Sequence, residues 1–346
     1  MKRINTITPL NSQAMKEAQE LQASLAKPAG SLGELERITI QLAGITGTPR
    51  NSITRKVICL FGSDHGIFDE GVCSSPQDFT RSLMELYADT RSGAINVLAR
   101  QADAQLRLYD LGVKGLAENK NIITKKFLPE GTANFLHGRA MTVETVRKVI
   151  SFGIDLVRNM KSEGVGLVGT GEVGMANTSP ASACIMAALG KSRDDSLIGR
   201  GAGLDDDSFS RKKKVILDAL NFHEADLTDH DPVNILSCVG GLDIAAMTGV
   251  FLGGAVYRVP VLADGVISIA GALMAYLIEP LTRDFIFASH ESAEPAYSQA
   301  ADFMNLKPCL KLSMRLGEGT GCAIMMQIID DALAIINEMG SIASLM

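Results

Sequence analysis

Short, almost wholly apolar runs alternate along this chain with longer segments whose apolar residues return every three or four positions. The runs at 57–61, 105–111, 164–168 and 259–262 predict strands, and most are too apolar for a sheet with one wet face. Several end at Gly or Asp, which predicts a parallel α/β sheet of Rossmann-like type flanked by helices on both sides. Helical periodicity covers 12–26, 32–44, 79–100, 142–163, 179–189, 208–219, 242–252, 270–277 and 321–338. The ends of the chain lack strands, so 1–45 and 320–346 are expected to form a small helical domain beside a parallel α/β catalytic domain spanning 46–319. No internal repeat or low-complexity tract interrupts the pattern. In such open sheets ligands bind beyond the carboxyl ends of the strands, where the glycine-rich turns of this chain are expected to fall.

Composition narrows the classes further. Of 346 residues, 46% are hydrophobic and 21% charged, a balance that fits a compact chain and excludes broad disorder. The net charge of -6 argues against a nucleic-acid partner, while small anions stay within reach of local loops. Six cysteines without a CxxC pair, and an N-terminus without a signal-peptide pattern, predict reduced thiols in a cytoplasmic protein. Five histidines form no HExxH or other close ligand pair, so spacing gives a metal site no support. Arg258, Pro260 and Asp264 break the apolar stretch 250–278, so no membrane-spanning helix is expected.

Three segments carry candidate chemistry. RLGEGTG (315–321) suspends Glu318 between glycines, where a ligand can approach closely and an apolar ring would raise the acid's proton affinity toward that of a general base. The alternative is a turn capping the helix that follows. GLVGTGEVGMANTSP (166–180) leads a strand-like run into glycines, an acid at Glu172, and Asn177, Thr178 and Ser179 before a helix expected to start after Pro180. It reads as a phosphate cradle, as a dinucleotide loop matching GxGxxG, or as a plain tight turn. In GRGAGLDDDSFSRKKKVI (199–216) a basic run opens a helix, mostly a solvated face from which one lysine directed at a phosphate would suffice. His65, within Asp64-His65-Gly66 at a strand end, reads as a hydrogen-bonded structural residue.

Taken in order, KPAGSLGELE, SDHGIFDEGVCSSPQDFT, GTGEVGMANTS, GRGAGLDDDSFSRKK, GGLDIAAMTG, VPVLADGVIS, SHESAEP and RLGEGTG resemble the nicotinate-nucleotide:dimethylbenzimidazole phosphoribosyltransferase family of cobamide biosynthesis, from about Lys27 to the C-terminus. The resemblance implies passage of ribose 5-phosphate from nicotinate mononucleotide to a base nitrogen with inversion at the anomeric carbon, giving an α-ribazole phosphate. It implies a Rossmann-like domain, a small helical domain from the chain ends, and a homodimer or a heterodimer with a paralogue. It makes Glu318 the acceptor-side acid and Glu172 the acid of the ribosyl phosphate loop. Gly174, Asn177, Thr178, Ser179 and Lys212 fall on phosphate or ribose positions, Gly201, Gly203 and Gly317 near the nucleotide, Ser292 near the phosphate, and Asp264 beside the catalytic acid. No cofactor is implied, because the cationic pyridinium of the donor is its own electron sink.

Departures from the family pattern gather where the acceptor ring is expected. Cys73, Ser74-Ser75-Pro76, Arg81 and Val173 replace the usual residues, and Cys73, Arg81, Val173 and Leu316 make up the expected acceptor pocket. Ala202 and Ala296-Tyr297 are further changes, while the Glu318 loop is intact. Three readings follow: a benzimidazole or purine-like acceptor, a phenolic acceptor such as phenol or p-cresol favoured by Arg81 within a heteromer, and a non-catalytic partner subunit. Retention of both acids argues against the last. A dinucleotide-dependent oxidoreductase is disfavoured because Asp194 and Asp195 follow a helical pattern rather than ending a strand.

Overall fold

The computed structural model describes residues 6–345; residues 1–5 and 346 of the expected helical domain lie outside the described residues. Helices α1 (Ser12–Ser24) and α2 (Glu34–Thr46) precede β1 (Lys56–Ser63), followed by α3 (Phe79–Glu85), α4 (Ala94–Gln101), β2 (Ala104–Gly112) and β3 (Ile122–Thr124). After α5 (Val143–Ser162) come β4 (Leu167–Val173), α6 (Thr178–Ala188), α7 (Asp206–Phe222), α8 (Pro232–Val239) and α9 (Leu242–Tyr257). The chain ends with β5 (Val261–Ala263), α10 (Val266–Ile278), β6 (Ile286–Ala288), α11 (Pro295–Phe303) and α12 (Thr320–Glu338).

The strands form one sheet in the order β3-β2-β1-β4-β5-β6, and every paired neighbour is parallel. The expected parallel α/β class therefore holds, and strand order reverses between β1 and β4, the crevice where such sheets bind ligands. Every residue of β1 and β4 is buried, the physical reason that their sequences read as apolar runs rather than alternating ones. One face of the sheet is covered by a core including Val149 and Ile150 of α5 and Ile244 and Val250 of α9. The other is covered by Ile38 and Leu42 of α2, Ile95 of α4, and Met325, Met326 and Ile329 of α12, packed with Ile58 and Leu60 of β1. Ala14 and Ala18 of α1 close on Ala43 of α2. Helix α12 is apolar and long enough to cross a membrane by length and composition alone, but its apolar stripe is part of this core.

Several expected boundaries moved. Strand β4 continues to Val173 instead of ending at 168, so Gly169, Gly171 and Glu172 are strand residues rather than a glycine-rich loop. A Cβ on Gly169 would approach the Cβ of Cys322 to 2.9 Å, and one on Gly171 would approach the carbonyl oxygen of Glu318 to 2.6 Å. Those glycines admit the 317–321 loop to the sheet, and no dinucleotide loop forms there; the turn of this segment comes after the strand, where the amide of Asn177 donates to the carbonyl of Gly174 at 3.3 Å. Helix α6 begins at Thr178, ahead of Pro180, because a proline in the first turn forfeits no helical hydrogen bond. The expected helix 79–100 is divided by a π-helical turn, Leu86–Thr90, and by Arg91 at φ 53°. Helix α10 starts at Val266 rather than 270. Strands β3 and β6, three residues each, and helices α8 and α11 had no periodic signal long enough to register.

Candidate active site

A cavity of about 510 Å³ opens at the carboxyl ends of the central strands, lined by the segments that follow β1, β4, β5 and β6 and by the 315–318 loop. Its two acids arrive from different directions. Glu172 is the next-to-last residue of β4, and Glu318 sits at φ 63° between Gly317 at 79° and Gly319 at 84°. Three consecutive left-handed residues make a sharp reversal that glycine flanks permit without steric cost. A Cβ on Gly317 would collide with Oε1 of Glu172, so the loop passes directly over that carboxylate.

The loop is fixed from below by Asp264, which follows β5. Its Oδ2 accepts from the amide of Gly319 at 2.9 Å and its Oδ1 from that of Gly321 at 2.7 Å. A carboxylate thus satisfies free N–H groups at the start of α12 and complements its dipole. The turn does precede α12 as the capping alternative expects, with Asp264 rather than a residue of the turn supplying the cap, while Glu318 lines the cavity.

Electrostatics set the two acids apart from ordinary carboxylates. Burial, assisted by Asp243 and Asp264, pushes the Glu172 carboxyl up to about 8, while the amide of Glu318 works in the opposite direction. The side-chain amide of Asn177 donates to Oε2 of Glu172, and the amide of Glu318 donates to its Oε1 at 3.3 Å. Glu318 is also raised by burial; the neighbouring Tyr87 hydroxyl tempers the rise and Asp264 adds to it. His65 Nε2 lies 3.4 Å from Asp243 Oδ2, both buried, but neither ring nitrogen has a hydrogen-bond partner among the described residues, so the hydrogen-bonded structural residue expected from the sequence is not what the structure holds.

The opposite wall is cationic. Lys212, fully buried on the first half of α7, directs Nζ to Thr178 Oγ1 at 2.8 Å and to the carbonyl of Gly199 at 2.9 Å. Burial lowers its ammonium to about 8, opposed by Glu294 and Cys73. The amide of Gly201 donates to Glu294 Oε1 at 2.9 Å, and Arg315 reaches the carbonyl of Gly201 at 3.2 Å. Lysine, hydroxyl and helix start converge as an anion site does. The remaining basic residues face water as expected: Lys213 pairs with Asp195 and Lys214 with Asp218.

Of the residues singled out in the sequence, Glu172, Gly174, Asn177, Thr178, Gly201, Lys212, Ser292, Gly317, Glu318, Cys73, Val173 and Leu316 all line this one cavity. Four do not. Ser179 is buried behind the α6 start, Gly203 lies beyond the rim at φ 109°, and Asp264 acts from beneath the loop. Arg81 projects away, 3.9 Å from Asp78, because residues two apart on a helix face different ways; Phe79 and Leu83, four apart, face the cavity instead. Sequence reasoning missed Phe79, Leu83, Tyr87 and Glu294. The 79/83 spacing was a legible signal; Tyr87 and Glu294 had none. Among the described residues, the one group of three side chains able to hold a metal ion lies outside this cavity.

An open parallel sheet thus carries two buried acids and a buried lysine around one cavity at its switch point. A family model described as phosphoribosyltransferase matches residues 7–345. A Dehalococcoides mccartyi protein named nicotinate-nucleotide–dimethylbenzimidazole phosphoribosyltransferase is 43% identical over 335 residues, 96% of this chain and 94% of its own length. A Clostridium tetani protein of the same name is 39% identical over 340 residues, 98% and 92% of the two chains. The crystal structure of the Thermus thermophilus enzyme of that name superposes with a TM-score of 0.89 at 30% identity, covering 97% of this chain and 98% of that one. The chain belongs to this phosphoribosyltransferase family.

Proposed function

We propose that this chain transfers ribose 5-phosphate from nicotinate mononucleotide to a ring nitrogen of a benzimidazole-class base, supplying the lower-ligand nucleotide of a cobamide. The observation that carries the reading is the convergence of Glu172, Glu318 and Lys212 on one cavity. Lys212, Thr178 and the α6 start hold the donor phosphate. The acceptor nitrogen attacks the anomeric carbon as the bond to the pyridinium nitrogen breaks, and that electron pair neutralises the departing nicotinate ring. Glu318 takes the proton from the acceptor's N–H. An ionised Glu172 stabilises positive charge developing on the ribose. Alignment of two substrates contributes roughly 7–11 kcal/mol, and a general base about 10²- to 10⁴-fold, so the assembled cavity outweighs either acid alone.

Phe79, Leu83, Val173 and Leu316 give the acceptor an apolar wall, and the strong exposure of Phe79 and Leu316 in the free chain leaves apolar surface for a flat ring to cover. The phenolic alternative rested on Arg81, which does not reach the cavity. Both acids and the lysine come from one chain, so no paralogous partner is needed to supply them, and six free thiols support a reducing compartment, the cytoplasm. The test is the purified chain alone with nicotinate mononucleotide and a panel of benzimidazoles, purines and phenols. Release of nicotinate with an α-configured benzimidazole nucleotide supports the reading, and turnover with phenols alone refutes it.

A further inference from the structure

Helix α7 carries a second cluster at its other end, about 16 Å along the axis from Lys212. His223 follows the last residue of α7, Asp226 ends the single helical turn Glu224–Asp226, and Cys238 lies in the last turn of α8. One ligand atom from each lies within 4.8 Å of the others. His223 and Asp226 share one turn, closed by the amide of Asp226 on the carbonyl of His223 at 2.9 Å, and Cys238 joins them from a separate helix.

The surroundings of each group prepare it for a cation. His223 Nε2 lies 2.9 Å from the carbonyl oxygen of Phe135 and 3.1 Å from that of Gly138. Carbonyls only accept, so Nε2 bears the hydrogen and the lone pair falls on Nδ1. Backbone anchoring of the second ring nitrogen is how ligating histidines are held in tautomer and orientation. Asp226 uses Oδ1 for Arg139 at 2.7 Å, which leaves Oδ2 outside that pair and supplies the hydrogen bond that ligating carboxylates usually receive. Arg139 is itself held by Asn234 at 2.7 Å and Ser237 at 3.2 Å, so the carboxylate is steered by a fixed group. Cys238 is buried, with Asn234 Oδ1 4.0 Å from its sulfur. Asp226 is half exposed and opens the cluster to solvent.

We propose that His223, Asp226 and Cys238 form a zinc-type divalent cation site, with water in a fourth position, that clips the end of α7 to α8. One nitrogen, one oxygen and one sulfur donor suit a borderline cation and exclude magnesium or calcium, which take oxygen ligands. Binding replaces the thiol proton of Cys238 by the metal and releases that proton to solvent. The nearby Arg139 cation makes the site weaker than a four-ligand structural one.

Cobalt(II), titrated into the metal-stripped full-length chain, is the probe. The expected result is one equivalent bound, with a thiolate-to-cobalt charge-transfer band and tetrahedral d–d bands, displaced by one equivalent of zinc. Cys238→Ser removes the charge-transfer band, and Asp226→Asn, on the exposed side, weakens binding about tenfold or more. Transferase activity of Asp226→Asn stays at the wild-type level. A wild-type chain without the charge-transfer band, or a band that persists in Cys238→Ser, overturns the proposal. If Cys238→Ser does not fold, unchanged cobalt affinity in Asp226→Asn overturns it.

Discussion

The backbone amide of Glu318 donates to the Glu172 carboxylate at 3.3 Å although 146 positions separate them in the chain. One acid therefore holds the loop that carries the other. A charged Glu172 is a stronger acceptor than a neutral one, so on the proposed mechanism its ionisation would tighten the Glu318 loop while stabilising the ribose. The two are expected to act as a unit: Glu172→Gln and Glu318→Gln each lower kcat, and the double variant loses much less than the product of the two factors. Steady-state kinetics of the four proteins check this, and strictly multiplicative losses contradict it.

Donor binding should move protons in a direction that depends on pH. Burial brings Glu172 up and Lys212 down, each to about 8. At pH 7 both are therefore mostly protonated. A pyridinium beside Glu172 favours its carboxylate and expels most of that proton, while a phosphate on Lys212 completes a protonation already nearly full. Net release is expected at pH 7 and net uptake at pH 9, where the occupancies reverse. Calorimetry in buffers of different ionisation enthalpy measures this. Glu172→Gln should show uptake only; release that survives in that variant contradicts the assignment.

Lys212 should discriminate donors by their phosphate. Lys212→Ala is expected to weaken nicotinate mononucleotide by at least tenfold more than nicotinate riboside, because only the former offers the anion that the lysine meets beside Thr178. Equal weakening of both ligands in direct binding measurements would place the lysine in a structural role.

Acceptor choice should follow Leu83, not Arg81. Leu83→Ala is expected to lower kcat/KM for dimethylbenzimidazole relative to unsubstituted benzimidazole by about 1–3 kcal/mol, the usual scale for small apolar groups in a pocket. Arg81→Gln, which removes only a surface pair with Asp78, should leave the acceptor ranking as it is. A ranking changed by Arg81→Gln and indifferent to Leu83→Ala reverses this account.

Much of this was legible in the residues, for identifiable reasons. Long buried runs such as β1 declare themselves by composition, and the glycines on both sides of Glu318 mark its loop, where the backbone is left-handed. The glycines before Glu172 misled in detail, because strand glycines that admit a neighbouring backbone look the same as loop glycines. Arg81 misled because nearness in sequence to the pocket does not fix helical phase. Tyr87 was hidden because a π-helical turn shifts the facing of the residues it contains, and Glu294 because its partner, the Gly201 amide, is 93 positions away.

On the proposed mechanism Glu318 takes the acceptor's proton while the rest of the cavity binds and aligns the donor. Single-turnover rates for wild type and Glu318→Gln, with nicotinate mononucleotide and dimethylbenzimidazole at neutral pH, test it most directly. The expected result is a rate lower by roughly 10²-fold or more with donor affinity unchanged. An undiminished rate in Glu318→Gln would contradict it.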